Sequence, residues 1–324
     1  MQHTTKQTLT LIASISIILL FFVMLVVMAL PPHDIPTVET PAMTSETPTV
    51  SEAPQPTPTP EPDKIINVLL LGVDSRTYDA KSRSDTMVFV SYNQTQNTVK
   101  MVSMMRDSWV NIPGYGWNRL NAATAYDSPQ LLIDTIESNF GVTADYYAQV
   151  KFDDFKKIID IIGGVDVALS KAEIQYINRK LHNESYDWDN DITAEPGIIH
   201  LNGTQALWHC RNRSVGLSDY ERTDRQRVVL KAMCQAATDN IDIGMVAQLI
   251  PEVIKSVDTN MPLTTLADLA ISVLTNGMPE IEDTRLPFQD TFWGANKNGA
   301  SVLELDMKKN KELLQEFLNN GANS

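Results

Sequence analysis

Two aspartates and two arginines sit within a dozen positions of each other near the start of the folded part of the sequence. Asp74 and Arg76 close an apolar run in Leu71-Gly-Val-Asp-Ser-Arg76, and Arg83 and Asp85 open the next in Arg83-Ser-Asp-Thr86. If the two runs are neighbouring strands, these side chains meet at one edge of a sheet, beyond the carboxyl end of the first strand, where open α/β sheets bind ligands. Paired carboxylates beside phosphate oxygens form the hard oxygen site that magnesium or manganese occupies; two Asp-Arg ion pairs at turns would leave the same trace in the sequence. A third segment, Ser103-Met-Met-Arg-Asp107, delivers Arg106 in a similar way. Nine of the eleven arginines fall between Arg76 and Arg119 or between Arg211 and Arg227, which suggests a local anion site, although surface ion pairing would give the same count.

The second arginine stretch begins with Arg211 and Arg213 and continues into a helical pattern that carries Arg222, Arg225, Gln226 and Arg227 in its first two turns, behind a Ser218-Glu221 capping-box spacing. Guanidinium groups at a helix N-terminus oppose its dipole. A bound anion, held by free N–H groups and guanidinium forks, resolves that conflict; neutralisation by Glu221 and Asp224 is the other solution.

Other chemistries lack their residues. No Gly-x-Ser-x-Gly and no His-Glu-x-x-His occurs among the 324 residues. Asp187-Trp-Asp-Asn-Asp191 starts like a calcium loop but lacks the glycine and the closing glutamate. Cys210 and Cys234 read as two buried free thiols, with a single disulfide as the alternative outside the cell, and Trp208 and His209 as core residues more readily than site residues. Twenty-six Lys and Arg against 40 Asp and Glu give a net charge of −14, which argues against nucleic acid as a partner.

The elements that must position these residues begin after an unusual N-terminus. Following a short tail, 1–7, residues Thr8 to Leu30 run without a charge, long enough to cross a bilayer. Lys6 precedes this run and no Lys or Arg follows it until Lys64, so the N-terminus is expected in the cytoplasm and the rest outside. The run exceeds the apolar region of a cleavable signal peptide, and an uncleaved single-pass anchor is the expectation. Residues 31–63 hold ten of the 17 prolines among Thr, Ser and Glu, an extended linker. From Lys64 to the C-terminus, 64–324, strand-like runs (Ile65–Val73, Thr86–Ser91, Val99–Met105, Tyr146–Phe152, Val165–Leu169) alternate with helical periodicity (Ala122–Phe140, Asp153–Ile162, Tyr220–Thr238, Leu263–Leu274, Asn310–Asn319). The pattern predicts one α/β domain, a mixed central β-sheet flanked by helices.

Taken in order, the segments resemble the LytR-CpsA-Psr family of bacterial cell-envelope proteins. Besides the motifs above, the resemblance is carried by Leu120-Asn-Ala-Ala123, Val150-Lys-Phe-Asp153 with Gly163-Gly-Val-Asp166, Leu201-Asn-Gly-Thr-Gln-Ala-Leu207, Arg211-Asn-Arg213 and Asp219-Tyr-Glu-Arg-Thr-Asp-Arg-Gln226. It implies an αβα sandwich that holds a polyprenyl-pyrophosphate-linked glycopolymer, of teichoic acid or capsule type, with the lipid in an apolar tunnel, and transfers the polymer phosphate to a peptidoglycan hydroxyl. It further implies Arg83, Arg106, Arg211, Arg213, Arg222 and Gln226 as the pyrophosphate clamp and Asp74 and Asp85 as magnesium-linked carboxylates, with Asp74, Asp85 and Arg106 catalytic. Arg76, Arg119 and Arg225 stand as further candidates. Two departures from the family pattern are Met105, where a proline is usual, and Asp127-Ser128-Pro129, where Gly-Gly is expected. A non-catalytic lipid-phosphate-binding regulator and a pyrophosphate hydrolase using water remain as alternatives.

Overall fold

A computed structural model describes residues 63–73, 84–215, 219–239, 256–262 and 279–320, with isolated positions between 264 and 276. The expected membrane span, nearly all of the linker, the site candidates Asp74, Arg76 and Arg83, the capping residue Ser218 and most of the expected 263–274 helix lie outside these residues. Among the described residues no helix is long and apolar enough to cross a membrane.

The chain opens with β1 (Ile65–Val73), β2 (Ser84–Asn93) and β3 (Thr98–Met104), followed by a hairpin of β4 (Trp109–Ile112) and β5 (Gly116–Arg119). Helices α1 (Ala122–Tyr126) and α2 (Pro129–Phe140) lead to β6 (Tyr146–Lys151), α3 (Phe152–Ile161), β7 (Val165–Leu169) and α4 (Lys171–Lys180), which ends in a π-helical turn, Leu181–Ser185. After β8 (Gly197–Leu201) come α5 (Gly203–Arg211), α6 (Asp219–Asp239) and β9 (Val257–Thr259). Strands β10 (Glu280–Leu286), β11 (Phe292–Lys297) and β12 (Ala300–Leu305) and helix α7 (Met307–Asn319) close the chain.

Six strands form the central sheet in the order β10-β3-β2-β1-β6-β9. β1 runs antiparallel to β2 and parallel to β6, and β10 runs parallel to β3, so the sheet is mixed as the sequence predicts. Its strands are apolar on both faces because both are covered. Val68, Val88, Val90 and Met101 point into a core shared with α3, α4, α5 and α6. Leu69, Leu71, Met87 and Phe89 point the other way, toward the β4–β5 hairpin, α1, α2 and α7. Among the described residues, strand β7 pairs only with β8, in a separate two-stranded sheet.

The single helix expected over Ala122–Phe140 is two. Ser128 is extended (ψ 169°) and Pro129 occupies the first turn of α2. A proline disfavours helical backbone in the residue before it and is preorganised to start a helix, so Asp127-Ser128-Pro129 breaks the pattern where hydrophobic periodicity alone runs through.

Capping boxes open α4 and α5, the second of which ends in Arg211. Ser170 and Glu173 cap α4, and Asn202 and Gln205 cap α5 with reciprocal bonds of 2.9 Å. The start of α5 lies against α3: the Gly203 N–H donates to Asp160 at 2.7 Å, and a Cβ on Gly203 would fall 2.1 Å from the Lys156 carbonyl oxygen. The Asn-Gly-Thr-Gln segment is thus a cap plus a close approach of two backbones. Gly203→Ala is expected to cost about 1–3 kcal/mol through overpacking, read as a lower urea midpoint with an unchanged slope; an unaltered midpoint would contradict that packing.

Candidate active site

Between the inner sheet face and α3–α6 lies a cavity of about 510 Å³, within the usual range for ligand pockets. Its apolar wall comes from Leu70 of β1, Val88 of β2, Ala148 and Val150 of β6, Phe155 and Ile158 of α3, Tyr176 of α4, Leu207 of α5, and Leu230 and Met233 of α6. Strand alternation explains the choice: residues two apart share a face. Its polar side lies where Gly72 near the end of β1, Asp85 and Thr86 at the start of β2, and Arg106, two residues past β3, come together.

Asp85 is the hub of that edge. Its Oδ1 accepts from Arg106 Nη1 at 2.7 Å and lies 3.9 Å from Arg213 Nη2. Arg211, Arg213, Arg222 and Gln226 line the same cavity. Arg222 and Gln226 are buried and one turn apart on α6, which puts both on one face. Arg211, the last residue of α5, has its guanidinium carbon 4.8 Å from the Phe152 ring centre and 5.2 Å from that of Trp208; the two rings hold the cation by their quadrupoles and restrict its rotamers.

Five of the six residues expected in the clamp therefore converge, together with Asp85; Arg83, like Asp74 and Arg76, falls outside the described residues. Two further candidates do not line the cavity. Arg119 pairs with Asp107 at 3.0 Å, and Asp107 in turn meets Arg106 Nε at 3.4 Å, so Arg119 stands behind the site. Arg225 is a brace. It donates to Glu173 (2.8 Å), Glu221 (2.9 Å) and the carbonyls of Asn212 (3.1 Å) and Val215 (2.8 Å), tying the loop that carries Arg213 to α4 and α6. Arg227 is likewise taken up by Asp224 and Asp283. Glu221 and Asp224 thus neutralise Arg225 and Arg227 against the α6 dipole, while Arg222 lines the cavity, where an anion would answer its charge.

Sequence reasoning missed Lys180 and Glu184, which line the cavity and pair with each other across the π-helical turn. Nothing in their spacing marks them, since a Lys-Glu pair four residues apart reads as an ordinary surface pair. Trp208, read as a core residue, is both buried and a wall of the cavity, and Lys180 Nζ lies 5.4 Å from its ring centre. Counting all described residues that line it, five cationic side chains face two carboxylates. In a chain of net charge −14 this is a local reversal of sign, and an anion at the polar edge would balance it.

Asp85 offers hard carboxylate oxygen, and one carboxylate completed by phosphate oxygens and water is a donor set that magnesium accepts. Among the described residues no group of three or more His, Cys, Asp or Glu side chains could hold a metal ion without such help. Cys210 lines the cavity as a protonated thiol: burial pushes it up to about 12. Cys234 is also free, buried and raised to about 12, as expected for two unpaired thiols.

Both the sequence and the fold match known proteins. The model of the LytR_cpsA_psr family matches residues 37–318. The chain belongs to the LytR-CpsA-Psr family. Among family relatives, "Regulatory protein MsrR" of Staphylococcus aureus (strain COL) is 27% identical over 259 residues, 79% of this chain and 75% of the relative. "Polyisoprenyl-teichoic acid--peptidoglycan teichoic acid transferase TagT" of Bacillus subtilis (strain 168) is 27% identical over 258 residues, 78% of this chain and 76% of the relative. A solved structure of "LytR-CPS2A-psr family protein YwtF (TagT) with bound octaprenyl pyrophosphate lipid" superposes with a TM-score of 0.59 at 25% identity, covering 79% of this chain and 90% of that one. The LytR-CpsA-Psr fold is therefore the fold of this chain, mixed sheet and flanking helices included.

Behind the clamp, His209 of α5 is held neutral. Burial pushes its pKa down to about 4, helped by Arg225 and opposed by Glu173, whose carboxylate is 4.0 Å away. Burial alone would raise Glu173, but the bonds from Arg225 and Ser170 outweigh it and hold it below the ordinary range. Both groups bind protons less readily when folded, so their stabilisation is complete above the unfolded values and is lost as pH falls. For His209 that window runs from about pH 6.5 to about pH 4, a loss of about 3 kcal/mol at most. Urea unfolding at pH 7.5 and 4.5 is expected to show this decline in the wild type and a much smaller one in His209→Phe; equal declines would contradict a neutral His209.

Proposed function

We propose that the chain is an extracytoplasmic glycopolymer phosphotransferase, which takes an anionic polysaccharide of teichoic acid or capsule type from a polyprenyl-pyrophosphate carrier and joins it to peptidoglycan. The observation that carries this reading is the pairing, in one cavity, of a long apolar wall with the guanidinium groups of Arg106, Arg211, Arg213 and Arg222. A lipid diphosphate has the same two halves: an isoprenoid tail, whose burial is favoured at about 25 cal/mol per Å², and a compact polyanion suited to forked donors.

In the reaction a peptidoglycan hydroxyl attacks the phosphorus attached to the polymer. The new oxygen–phosphorus bond forms as the bond to the carrier phosphate breaks, and the polyprenyl phosphate leaves. Arg106 and Arg213, held by Asp85, and Arg211, held by its two rings, stabilise the charge that shifts onto the departing phosphate. Gln226 hydrogen-bonds a neighbouring oxygen, and the proton of the attacking hydroxyl passes to Asp85 or Asp74. Magnesium held by Asp85 and Asp74 would supply charge neutralisation at the diphosphate oxygens.

The uncharged segment Thr8 to Leu30 would anchor the chain as a single pass with its N-terminus inside. The proline-rich linker, roughly 100 Å if fully extended, would let the domain work between membrane and wall. A non-catalytic regulator that binds the lipid phosphate is the second reading, favoured by the word "regulatory" in the name of the MsrR relative.

Arg106→Ala and Arg213→Ala are each expected to weaken polyprenyl diphosphate binding about 10- to 100-fold, the loss of a charge-assisted hydrogen bond. Asp85→Ala should keep binding and lose turnover, measured with a lipid-linked saccharide and peptidoglycan. Wild-type transfer rates in all three variants would refute the site, and wild-type binding without turnover on any acceptor would favour the regulator.

A further inference from the structure

Three large aromatic side chains remain exposed on the opposite side of the sheet from the cavity wall, on and beside the β4–β5 hairpin. Tyr115 and Trp117 are each 54% exposed and Tyr126, at the end of α1, is 40% exposed. Tyr115 and Tyr126 stack with ring centres 4.6 Å apart and planes within 9°. Asn118 of β5 donates to the Tyr126 hydroxyl. Asn111 faces Trp117 directly across the ladder, which places its amide on the same face.

The hairpin beneath these rings is packed and hydrogen-bonded to α2. Val110 and Ile112 are fully buried. Asn139 of α2 accepts from the Asn111 N–H at 3.1 Å and donates to the Asn111 carbonyl at 2.8 Å. Gly114 and Gly116 both have φ of +78°, which lets the tip turn tightly. The segment 108–118 holds no Asp, Glu, Lys, Arg or His, an uncharged patch on a chain of net charge −14. The hairpin is also joined to the site: Arg119, at its base, pairs with Asp107, which meets Arg106 of the clamp.

We propose that Tyr115, Trp117 and Tyr126 form a stacking platform for a neutral saccharide unit of a polymeric acceptor strand. The proposal rests on the transferase reading above and concerns how that acceptor is held. A pyranose ring presents C–H groups on one face and hydroxyls at its rim. The C–H face sits on the negative face of an aromatic ring, and the amide of Asn111, on the Trp117 face, can both donate to and accept from the hydroxyls. An uncharged platform does not select the anionic donor polymer, so it suits the acceptor. From Arg119 to Tyr115 the strand spans about 13 Å. The platform therefore holds a unit removed from the reacting one, which makes a strand, not a single sugar, the ligand.

The test uses the full chain in detergent, with insoluble peptidoglycan stripped of its anionic polymer as one probe and a polyprenyl diphosphate as the other. Tyr115→Ala with Trp117→Ala is expected to weaken peptidoglycan binding about tenfold or more with unchanged affinity for the lipid. Tyr115→Phe with Trp117→Phe keeps the stacking faces and should retain peptidoglycan binding. Wild-type peptidoglycan binding by the alanine variant, equal loss in the phenylalanine variant, or no binding by the wild type overturns the platform. Transfer is measured in parallel: binding that depends on the platform, without transfer by the wild type, supports the platform and contradicts the transferase reading.

Discussion

The structure turns on one electrostatic imbalance. At the edge of an apolar cavity lined by the guanidinium groups of Arg106, Arg211, Arg213 and Arg222, two of them, Arg106 and Arg213, meet the carboxylate of Asp85. Like charges gathered in a low-dielectric site repel one another and are costly to desolvate. Asp85 relieves part of that cost, and a diphosphate would relieve more. The same feature that disfavours the empty arrangement therefore favours an anionic ligand.

The rest of the fold holds that imbalance in place. Strands β1 and β2 are antiparallel neighbours, so the end of one and the start of the other share an edge with the residues just past β3. Arg211 arrives on α5, fixed by a side-chain cap and by the Gly203 contact with α3. Arg225 is used as a strut, and its bonds to Glu173 and to two loop carbonyls spare Arg213 for the cavity edge. The rings of Phe152 and Trp208 do the same work for Arg211 without charge.

Much of this was legible in the sequence because the informative residues lie at the ends of strongly patterned elements. The runs at Ile65–Val73 and Thr86–Ser91 read as buried strands, and Asp85, just before the second, stands at the edge. The motif order indicated the family, and hence which arginines converge. Other roles were not legible, since they depend on tertiary contacts that spacing does not encode. Arg225 and Arg222 are three residues apart on one helix, yet only the positions of Glu173 and Val215 decide which of them is a strut. Lys180 and Glu184 look like a surface pair until α4 is packed against Trp208. The break at Ser128-Pro129 was visible as chemistry but masked by the hydrophobic period around it, and the Asn202-Gln205 cap was present in a motif read only for its resemblance.

The most direct test of the central claim is a crystal structure of the chain with a polyprenyl diphosphate. The account predicts diphosphate oxygens about 2.7–2.9 Å from the guanidinium nitrogens of Arg106 and Arg213, with the isoprenoid tail running between Val88, Phe155 and Met233. A diphosphate bound elsewhere, with this cavity left to solvent, would contradict it.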